Sequence, residues 1–308
     1  MCPFIFKTNY KHNFKINIHD KNLQQLLTLS IPIILGTSLE QINILIDRTV
    51  ASGVGEGAIT ILNYAAKLNG AMLSLSVMTI LSILYPKFSH LVSENNINEL
   101  KVQVKHTINM IFIFSIPTMC GIIALNKEVS MFIFGRGNLD KDSVRAIAKC
   151  LSAYSLCFVA LCLRDLATKI FYSFKNSKTP VINSSSGIIL NIILNIVLSK
   201  YLGIIGIALA TSISTIFISI LLFYNLRRYD IHLDRTNLTI LLKVLLASTF
   251  MIIIIYISKK YLSSFGTLSI FIYILNAIIS YILAILLLDV NEIKDLFKLF
   301  LKVFKLKR

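Results

Sequence analysis

The sequence predicts an all-α polytopic membrane protein with about eight transmembrane helices. Of its 308 residues, 56% are hydrophobic and only 15% are charged, against roughly 25% charged in an ordinary soluble domain. The apolar residues form runs close to the roughly 20 residues that a helix needs to cross the hydrocarbon. Such runs are helices because a bilayer offers no water to unpaired backbone groups. The predicted spans are 24–46, 58–83, 106–125, 146–171, 181–199, 204–225, 239–258 and 268–288.

Polar sequence at both ends divides the chain into four regions. Residues 1–22 are rich in Lys and Asn and have no apolar core, which favours a cytoplasmic N-terminal segment over a signal peptide. Residues 23–228 contain the first six spans, and residues 229–290 contain an additional helix pair. Residues 291–308 place lysines opposite apolar residues on a helix, which predicts a basic amphipathic cytoplasmic tail. Such a tail either binds anionic membrane lipids or simply caps the bundle.

Topology explains the net charge of +16. Most Lys and Arg residues fall in the polar segments on the side of the N-terminus, so the positive-inside rule places both termini in the cytoplasm. The basicity is explained by this topology, so nucleic acid is not expected as a partner. The five cysteines show no CxxC spacing and are predicted to be packing residues. No GxSxG or HExxH motif occurs, so enzyme chemistry is not predicted.

The second span carries a cation at membrane depth. Lys67 lies about ten residues past the predicted outer loop, near the midplane, where a charge usually faces a cavity. Asn63 and Gly70 share its helical face. This polar stripe predicts a water-filled cavity that binds an anion, with Lys67 and Asn63 as substrate-binding residues. The alternative is that Lys67 pairs with a carboxylate such as Glu40.

The fourth span ends in the polar run RDLATK. Arg164 is a candidate for anion binding. Asp165 and Lys169 are four residues apart with the acid first, which is the favourable order for an ion pair within a helix. We therefore predict a structural role for that pair. The outer segment before this span is expected to provide a helix N-cap near Asp140.

The first span contains the polar stretch LEQINILIDRTVAS. We expect Glu40 to face the bundle interior and Arg48 to reach the outer interface. Asp47 falls at the same depth as three polar residues of the fifth and sixth spans, namely Asn191, Asn195 and Thr211. Close packing is the leading explanation for those two spans, but oxygen donors that converge from three helices would also suit a small cation such as sodium.

Five stretches resemble one known family in their order and spacing. They are QINILIDRTVASGVGEGAITILNYAAKL, YPKFS, FGRGNLDKD, FYSFKNSKTPV and YLGIIGIALATSIS. Over about residues 24–225 the chain resembles the MurJ or MviN-like lipid II flippases of the multidrug/oligosaccharidyl-lipid/polysaccharide (MOP) exporter superfamily, to which the MATE bundles belong. The resemblance implies flipping of lipid II, an undecaprenyl-diphosphate-linked peptidoglycan precursor, across the bacterial inner membrane by alternating access between two lobes. It implies that residues 23–228 are the second lobe and that residues 229–290 are the two helices that family members add for the lipid tail.

The resemblance also implies roles for single residues. Lys67 stands where family members have an Arg that faces the substrate diphosphate, and Lys169 stands where an Arg is common. Some family members are thought to bind sodium, and the matching positions here are Asp47, Asn191, Asn195, Ile207 through its carbonyl, and Thr211. Asn195 replaces a carboxylate, so the site would carry one less negative charge. The resemblance implies no other cofactor.

Three functions remain open at this point. In the first, the chain is a flippase lobe that works with a separate N-terminal lobe or as a homodimer, because alternating access needs two halves. In the second, it is an exporter of another lipid-linked polysaccharide or of a drug. In the third, it is a truncated, non-transporting remnant. Lys67 favours an anionic lipid over a cationic drug.

Overall fold

The computed structural model describes residues 21–74, 79–136, 139–262 and 269–290. All regular structure in these ranges is helical and no strand occurs there, which confirms the predicted all-α class. The predicted tail lies outside the described residues, and so does the predicted N-terminal segment except for its last two residues.

Within those ranges the chain forms ten α-helices and one short 3-10 turn. The helices are α1 (Lys21–Ser52), α2 (Ala58–Leu73), α3 (Thr79–Ser93), α4 (Ile97–Ala124), α5 (Asn126–Phe134), α6 (Lys141–Ser155), α7 (Phe158–Ser173), α8 (Lys178–Leu226), α9 (Arg235–Leu262) and α10 (Ser269–Leu287). The turn, Arg227–Tyr229, lies between α8 and α9.

Four of the described helices, α4, α8, α9 and α10, are long and apolar enough to cross a membrane. The bent pair α6 and α7, with 45° between its axes, is a fifth if it is counted as one span. The predicted count of eight spans is therefore not confirmed. The predicted span 58–83 is divided between α2 and α3, and the predicted span 146–171 bends between α6 and α7.

Helix α8 is a hairpin that contains the predicted fifth and sixth spans. Its direction reverses at Gly203, where φ is 56° and ψ is −136°, a conformation that a residue with a Cβ rarely adopts. Asn191 Nδ2 lies 3.4 Å from Thr211 Oγ1, and Asn225 Nδ2 lies 3.4 Å from Asn183 Oδ1. Because these pairs are nested around Gly203, the two arms are antiparallel. The arm before Gly203 is called the first arm and the arm after it the second arm.

The hairpin is the central element of the bundle. Helices α1, α6 and α7 all pack against it, and α2 packs against α6. The core between these helices and α4 contains large side chains that are almost fully buried, among them Phe158, Phe171, Leu166 and Ile147. This arrangement places the polar residues of α1 directly beside both arms of α8.

The helix pair α9 and α10 is fastened to the rest of the chain by polar contacts as well as by packing. The pair packs chiefly on α4. The contacts are Asn237 Nδ2 to Asn109 Oδ1 (2.5 Å), Tyr281 Oη to the Ile113 carbonyl (2.7 Å) and Lys259 Nζ to Glu128 Oε1 (2.8 Å). They are spread along the pair, so both of its ends are held.

The predicted N-cap at Asp140 is confirmed. Its Oδ2 accepts hydrogen bonds from the backbone amides of Asp142 and Ser143 at 3.2 and 3.1 Å. These satisfy two of the amide groups that a helix leaves unpaired at its start. Hydrogen bonding to Ser143 holds the pKa of Asp140 below its ordinary value, as expected for a carboxylate that caps a helix.

Candidate functional site

A polar cluster joins α1 to both arms of α8. Asp47 of α1 accepts a hydrogen bond from Asn195 Nδ2 at 2.6 Å through its Oδ1 and one from Thr211 Oγ1 at 3.3 Å through its Oδ2. Asn195 Nδ2 also lies 2.8 Å from Asn191 Oδ1, one turn earlier on the first arm. Thr211 Oγ1 lies 3.2 Å from the carbonyl of Ile207. The five residues predicted from the sequence for a sodium site are thus brought together.

Asn43 is a sixth member of this polar cluster, and the sequence analysis did not predict it. The two orientations of the Asn191 amide make different contacts in the cluster. In the first orientation, Asn191 Oδ1 accepts a hydrogen bond from Asn195 Nδ2. When the amide is turned over, its nitrogen donates to Asn43 Oδ1 at 3.0 Å and to Asp47 Oδ1 at 3.1 Å. The available signal was the four-residue spacing of Asn43 and Asp47, which puts both on one face of α1.

The oxygen atoms of this cluster fit a small monovalent cation. Asn195 is fully buried, and its Oδ1 has no hydrogen-bond partner among the described residues. A buried polar atom of this kind carries a desolvation cost that a ligand would remove. Asp47 brings the single carboxylate, and the other donors are neutral amide, hydroxyl and carbonyl oxygens. A hard oxygen set with one negative charge suits Na⁺ better than a divalent ion, which usually takes more carboxylates.

The described ranges contain no group of three or more His, Cys, Asp or Glu side chains that could hold a metal ion. This finding agrees with the small number of acidic residues in the spans. The cysteines that the structure describes are free, and three of the four are buried.

A charged cluster lies two helical turns from Asp47 on the same side of α1. Arg164 Nη2 is 3.5 Å from Glu40 Oε1 and 3.4 Å from Asp165 Oδ1. The predicted ion pair between Asp165 and Lys169 is wrong, because the neighbouring guanidinium reaches Asp165 and no contact within 4.0 Å joins Asp165 to Lys169. Glu40 and Asp165 both lie within ion-pair distance of Arg164 and compensate its charge.

A cavity of about 240 Å³ connects the two clusters. Glu40 and Arg164 line one part of it, and Asn43, Asn191 and Thr211 line another. Since the cavity touches α1, α7 and both arms of α8, a change in the position of α1 would alter both clusters together.

Lys67 and Lys169 lie apart from this cavity. Lys67 is exposed on α2, and in the part of the chain that the structure describes it has no ion pair. Its suggested pairing with Glu40 does not occur, because Glu40 contacts Arg164 instead. Among the described residues, no atom outside the helix lies within 4 Å of the position that a Cβ would take at Gly70, one turn further along, so this face of α2 is open there.

Arg48 contacts the predicted substrate residue Asn63. Its Nη2 lies 3.4 Å from Asn63 Oδ1. Its guanidinium therefore has an amide partner on α2, and the residue is exposed. This contact ties the C-terminal end of α1 to the face of α2 that carries Lys67.

Comparison with known proteins identifies a family for this fold. A family model described as lipid II flippase MurJ matches residues 1–276. A probable lipid II flippase MurJ from Rickettsia prowazekii is 30% identical over 260 residues, which are 84% of this chain and 49% of that protein. The corresponding protein from Vibrio cholerae is 29% identical over 250 residues, which are 81% of this chain and 48% of the relative.

Solved structures agree with this result. A structure of lipid II flippase MurJ in an inward closed conformation superposes with a TM-score of 0.74 and 27% identity, covering 91% of this chain and 57% of that one. A MOP superfamily transporter from Pyrococcus furiosus has a TM-score of 0.59 at 17% identity, covering 85% of this chain and 62% of that one, and shows the shared fold alone.

The chain spans about half the length of the curated relatives that it matches. The matched part nevertheless includes every element of the Asp47 cluster and of the Arg164 cluster. With a family model that covers most of its residues, this chain belongs to the lipid II flippase MurJ family.

Proposed function

We propose that this chain supplies one lobe of a transporter that flips lipid II, an undecaprenyl-diphosphate-linked precursor, across the bacterial inner membrane. The observation that carries the proposal is the superposition of 91% of the chain on a solved lipid II flippase at 27% identity. Both termini are cytoplasmic in this proposal, as the distribution of Lys and Arg favours.

A second lobe completes the transporter. Alternating access requires two halves that move against each other around one site, and this chain spans about half the length of its relatives. The second half comes from an N-terminal lobe on another chain or from a second copy of this chain.

Lys67 is the residue that attracts the diphosphate. Placing a Lys near the middle of a bilayer costs about 2.5–3.5 kcal/mol on insertion scales, and no carboxylate of the described ranges offsets that cost by an ion pair. An anionic substrate in a water-filled cavity would offset it. Lys presents a point charge and not the planar fork of Arg, so it binds phosphate without bidentate geometry.

Arg164, Glu40, Asn63 and Lys169 take secondary parts in substrate binding. Arg164 becomes available to an anion only when it separates from Glu40, at present 3.5 Å away. Asn63 is held by Arg48 beside the face of Lys67. Lys169 is half-buried one turn beyond Asp165 and adds positive charge to that side of the bundle.

Sodium is the coupling ion in this proposal. Asp47, Asn191, Asn195, Thr211 and the Ile207 carbonyl would hold it. A bound Na⁺ would supply positive charge to Asp47 and a partner to the buried Asn195 Oδ1. The residues themselves hold α1 against both arms of α8, so occupancy of the site would stabilise one position of α1.

The test is rescue of a bacterium depleted of its own lipid II flippase. The chain is expressed alone or with a matching N-terminal lobe, and its amount in the membrane is measured in each case. We expect rescue by the wild-type chain and by Lys67→Arg, and loss of rescue by Lys67→Ala. Lys178→Ala, which removes an exposed charge from the start of α8, is the matched control.

Either of two results would contradict the proposal. Equal rescue by Lys67→Ala would remove Lys67 from substrate binding. Failure of the wild-type chain both alone and with the N-terminal lobe, at normal membrane amounts, would favour the other functions. These are an exporter of another lipid-linked polysaccharide or drug, and a non-transporting remnant.

A further inference from the structure

A cavity near the start of α10 has no part in the sites above. It has a volume of about 850 Å³ and lies where α5, α6 and α10 begin, next to the reversal of α8. Its walls are largely apolar, and a group of basic residues lines it as well. The apolar wall includes Met131, Phe132, Val144, Ala148, Ile205 and Ile270.

The three lysines that line this cavity carry uncompensated positive charge. Lys127, Lys141 and Lys149 have no acidic partner among the described residues. Two other charged residues of the lining are already paired: Glu128 with Lys259 at 2.8 Å, and Arg145 with Asp142 at 3.0 Å. The cavity therefore has a net excess of about three positive charges.

The helix geometry aims these charges at one region. Lys141, Arg145 and Lys149 follow each other at four-residue intervals on α6, so they share one face, and Val144 and Ala148 flank that face. Lys141 stands in the first turn of α6, where the helix dipole adds further positive potential. Lys149 lies about 12 Å further along the helix axis. Lys127, Lys141 and Lys149 are all exposed, so a charged headgroup can reach them from outside.

The cavity is a built structure and not a gap between loosely placed helices. Phe132 of α5 and Phe271 of α10 meet edge to face, with ring centroids 5.4 Å apart. Glu128 fastens α5 to α9 through Lys259, whose Nζ also donates to the Ala124 carbonyl at 2.6 Å. The Oε2 atom of Glu128 is buried and lacks a hydrogen-bond partner in the described ranges. It offers an acceptor to a hydroxyl group of a ligand.

We propose that this cavity binds one anionic phospholipid, with its phosphate among Lys127, Lys141 and Lys149 and an acyl chain against the apolar wall. Phosphate matches the excess of positive charge. An acyl chain matches the apolar lining, which a free phosphate ion would leave in contact with water at a cost of roughly 25 cal/mol per Å². A glycerol headgroup would also donate to Glu128 Oε2. This site does not depend on the transported substrate, and it would hold the end of the α9 and α10 pair against α5 and α6.

The test measures lipid binding to the delipidated full chain by native mass spectrometry. The probes are phosphatidylglycerol, phosphatidylcholine and inorganic phosphate, each titrated separately. We expect one tight equivalent of phosphatidylglycerol and weaker binding of phosphatidylcholine. Replacing Lys127, Lys141 and Lys149 by Gln should weaken the tight equivalent roughly a hundredfold, since each lysine near a lipid headgroup contributes about fivefold.

Two further variants make the result specific. Ile205→Trp keeps all three lysines but fills the apolar part of the cavity, and we expect it to weaken binding at least tenfold. Replacing Lys87, Lys175 and Lys178 by Gln removes the same charge from exposed positions elsewhere and should leave the tight equivalent in place. Thermal unfolding checks that each variant is folded.

Three results would overturn the inference. The first is unchanged phosphatidylglycerol binding when the three cavity lysines are replaced in a folded protein. The second is loss of binding only in the control variant. The third is equal binding of inorganic phosphate, which would identify a free-anion site.

Discussion

Replacing Asn195 by Asp should make the stability of the protein depend strongly on sodium. Asn195 Nδ2 now donates to Asp47 Oδ1 at 2.6 Å. In the Asn195→Asp variant, that donor becomes a second carboxylate oxygen within hydrogen-bond distance of the first. Without a cation the two charges repel, and at an effective dielectric constant of 20 the repulsion is roughly 4 kcal/mol at 4 Å. The variant also loses a hydrogen bond to a charged group, which contributes about 1.5–3 kcal/mol.

Sodium should reverse part of this loss. An ion present at 100 times its dissociation constant adds about 2.7 kcal/mol to the free energy of unfolding. The assay is thermal unfolding of the purified protein in sodium chloride and in choline chloride at equal ionic strength. We expect a small sodium-dependent rise in Tm for the wild-type protein and a rise several times larger for Asn195→Asp.

The matched control is Asn225→Asp, which adds the same charge near the other end of the hairpin. Asn225 there contacts Asn183 and the Leu221 carbonyl, far from Asp47. A similar sodium response in both variants would show that the effect is a general one of charge. No sodium response in Asn195→Asp would refute the assignment of these oxygens to a cation site.

Three further changes test the fold. Tyr281→Phe leaves the Ile113 carbonyl without its 2.7 Å hydrogen bond and should lower the free energy of unfolding by about 1–3 kcal/mol. Tyr261 is 74% exposed, so Tyr261→Phe should change the free energy of unfolding by less than about 0.5 kcal/mol. Gly203→Ala places a Cβ on a residue with φ 56° and should lower the free energy of unfolding, measured by thermal unfolding, by about 1–3 kcal/mol. Gly55 has open space around it, so an equal effect of Gly55→Ala would contradict the strain argument. Lys101 holds the pKa of Asp230 below its ordinary value. Their ion pair therefore stabilises the protein above about pH 4, and this stabilisation is lost as the pH falls through the lowered pKa. The difference in Tm between wild type and Lys101→Gln should vanish in acid.

Helical periodicity is enough to predict from the sequence that the polar residues around Asp47 lie at one level. Depth along a span follows from 1.5 Å per residue, so Asp47, Asn195 and Thr211 can be placed at one level although they are far apart in the chain. The structure brings them within 2.6 to 3.3 Å. The fold class follows equally directly from the length of the apolar runs.

Lateral contacts and breaks within spans could not be predicted in the same way. Asp165 has a cation one residue before it and another four residues after it, and the choice of Arg164 depends on Glu40, which belongs to another helix. The bend between α6 and α7 occurs at Leu156 and Cys157, an apolar pair with no Gly or Pro to signal it. Gly203 is visible in the sequence, but only its backbone angles show a full reversal of direction.

The two polar clusters make α1 the element on which the site depends. Glu40 and Asp47 are seven residues apart, so they lie on one face of α1 about 10 Å from each other along its axis. One contacts Arg164 of α7 and the other contacts both arms of α8, across a single cavity. Moving α1 away from its neighbours must therefore break an ion pair and a charged hydrogen bond in the same step. A ligand that stabilises either contact acts on both, since the same rigid helix carries them.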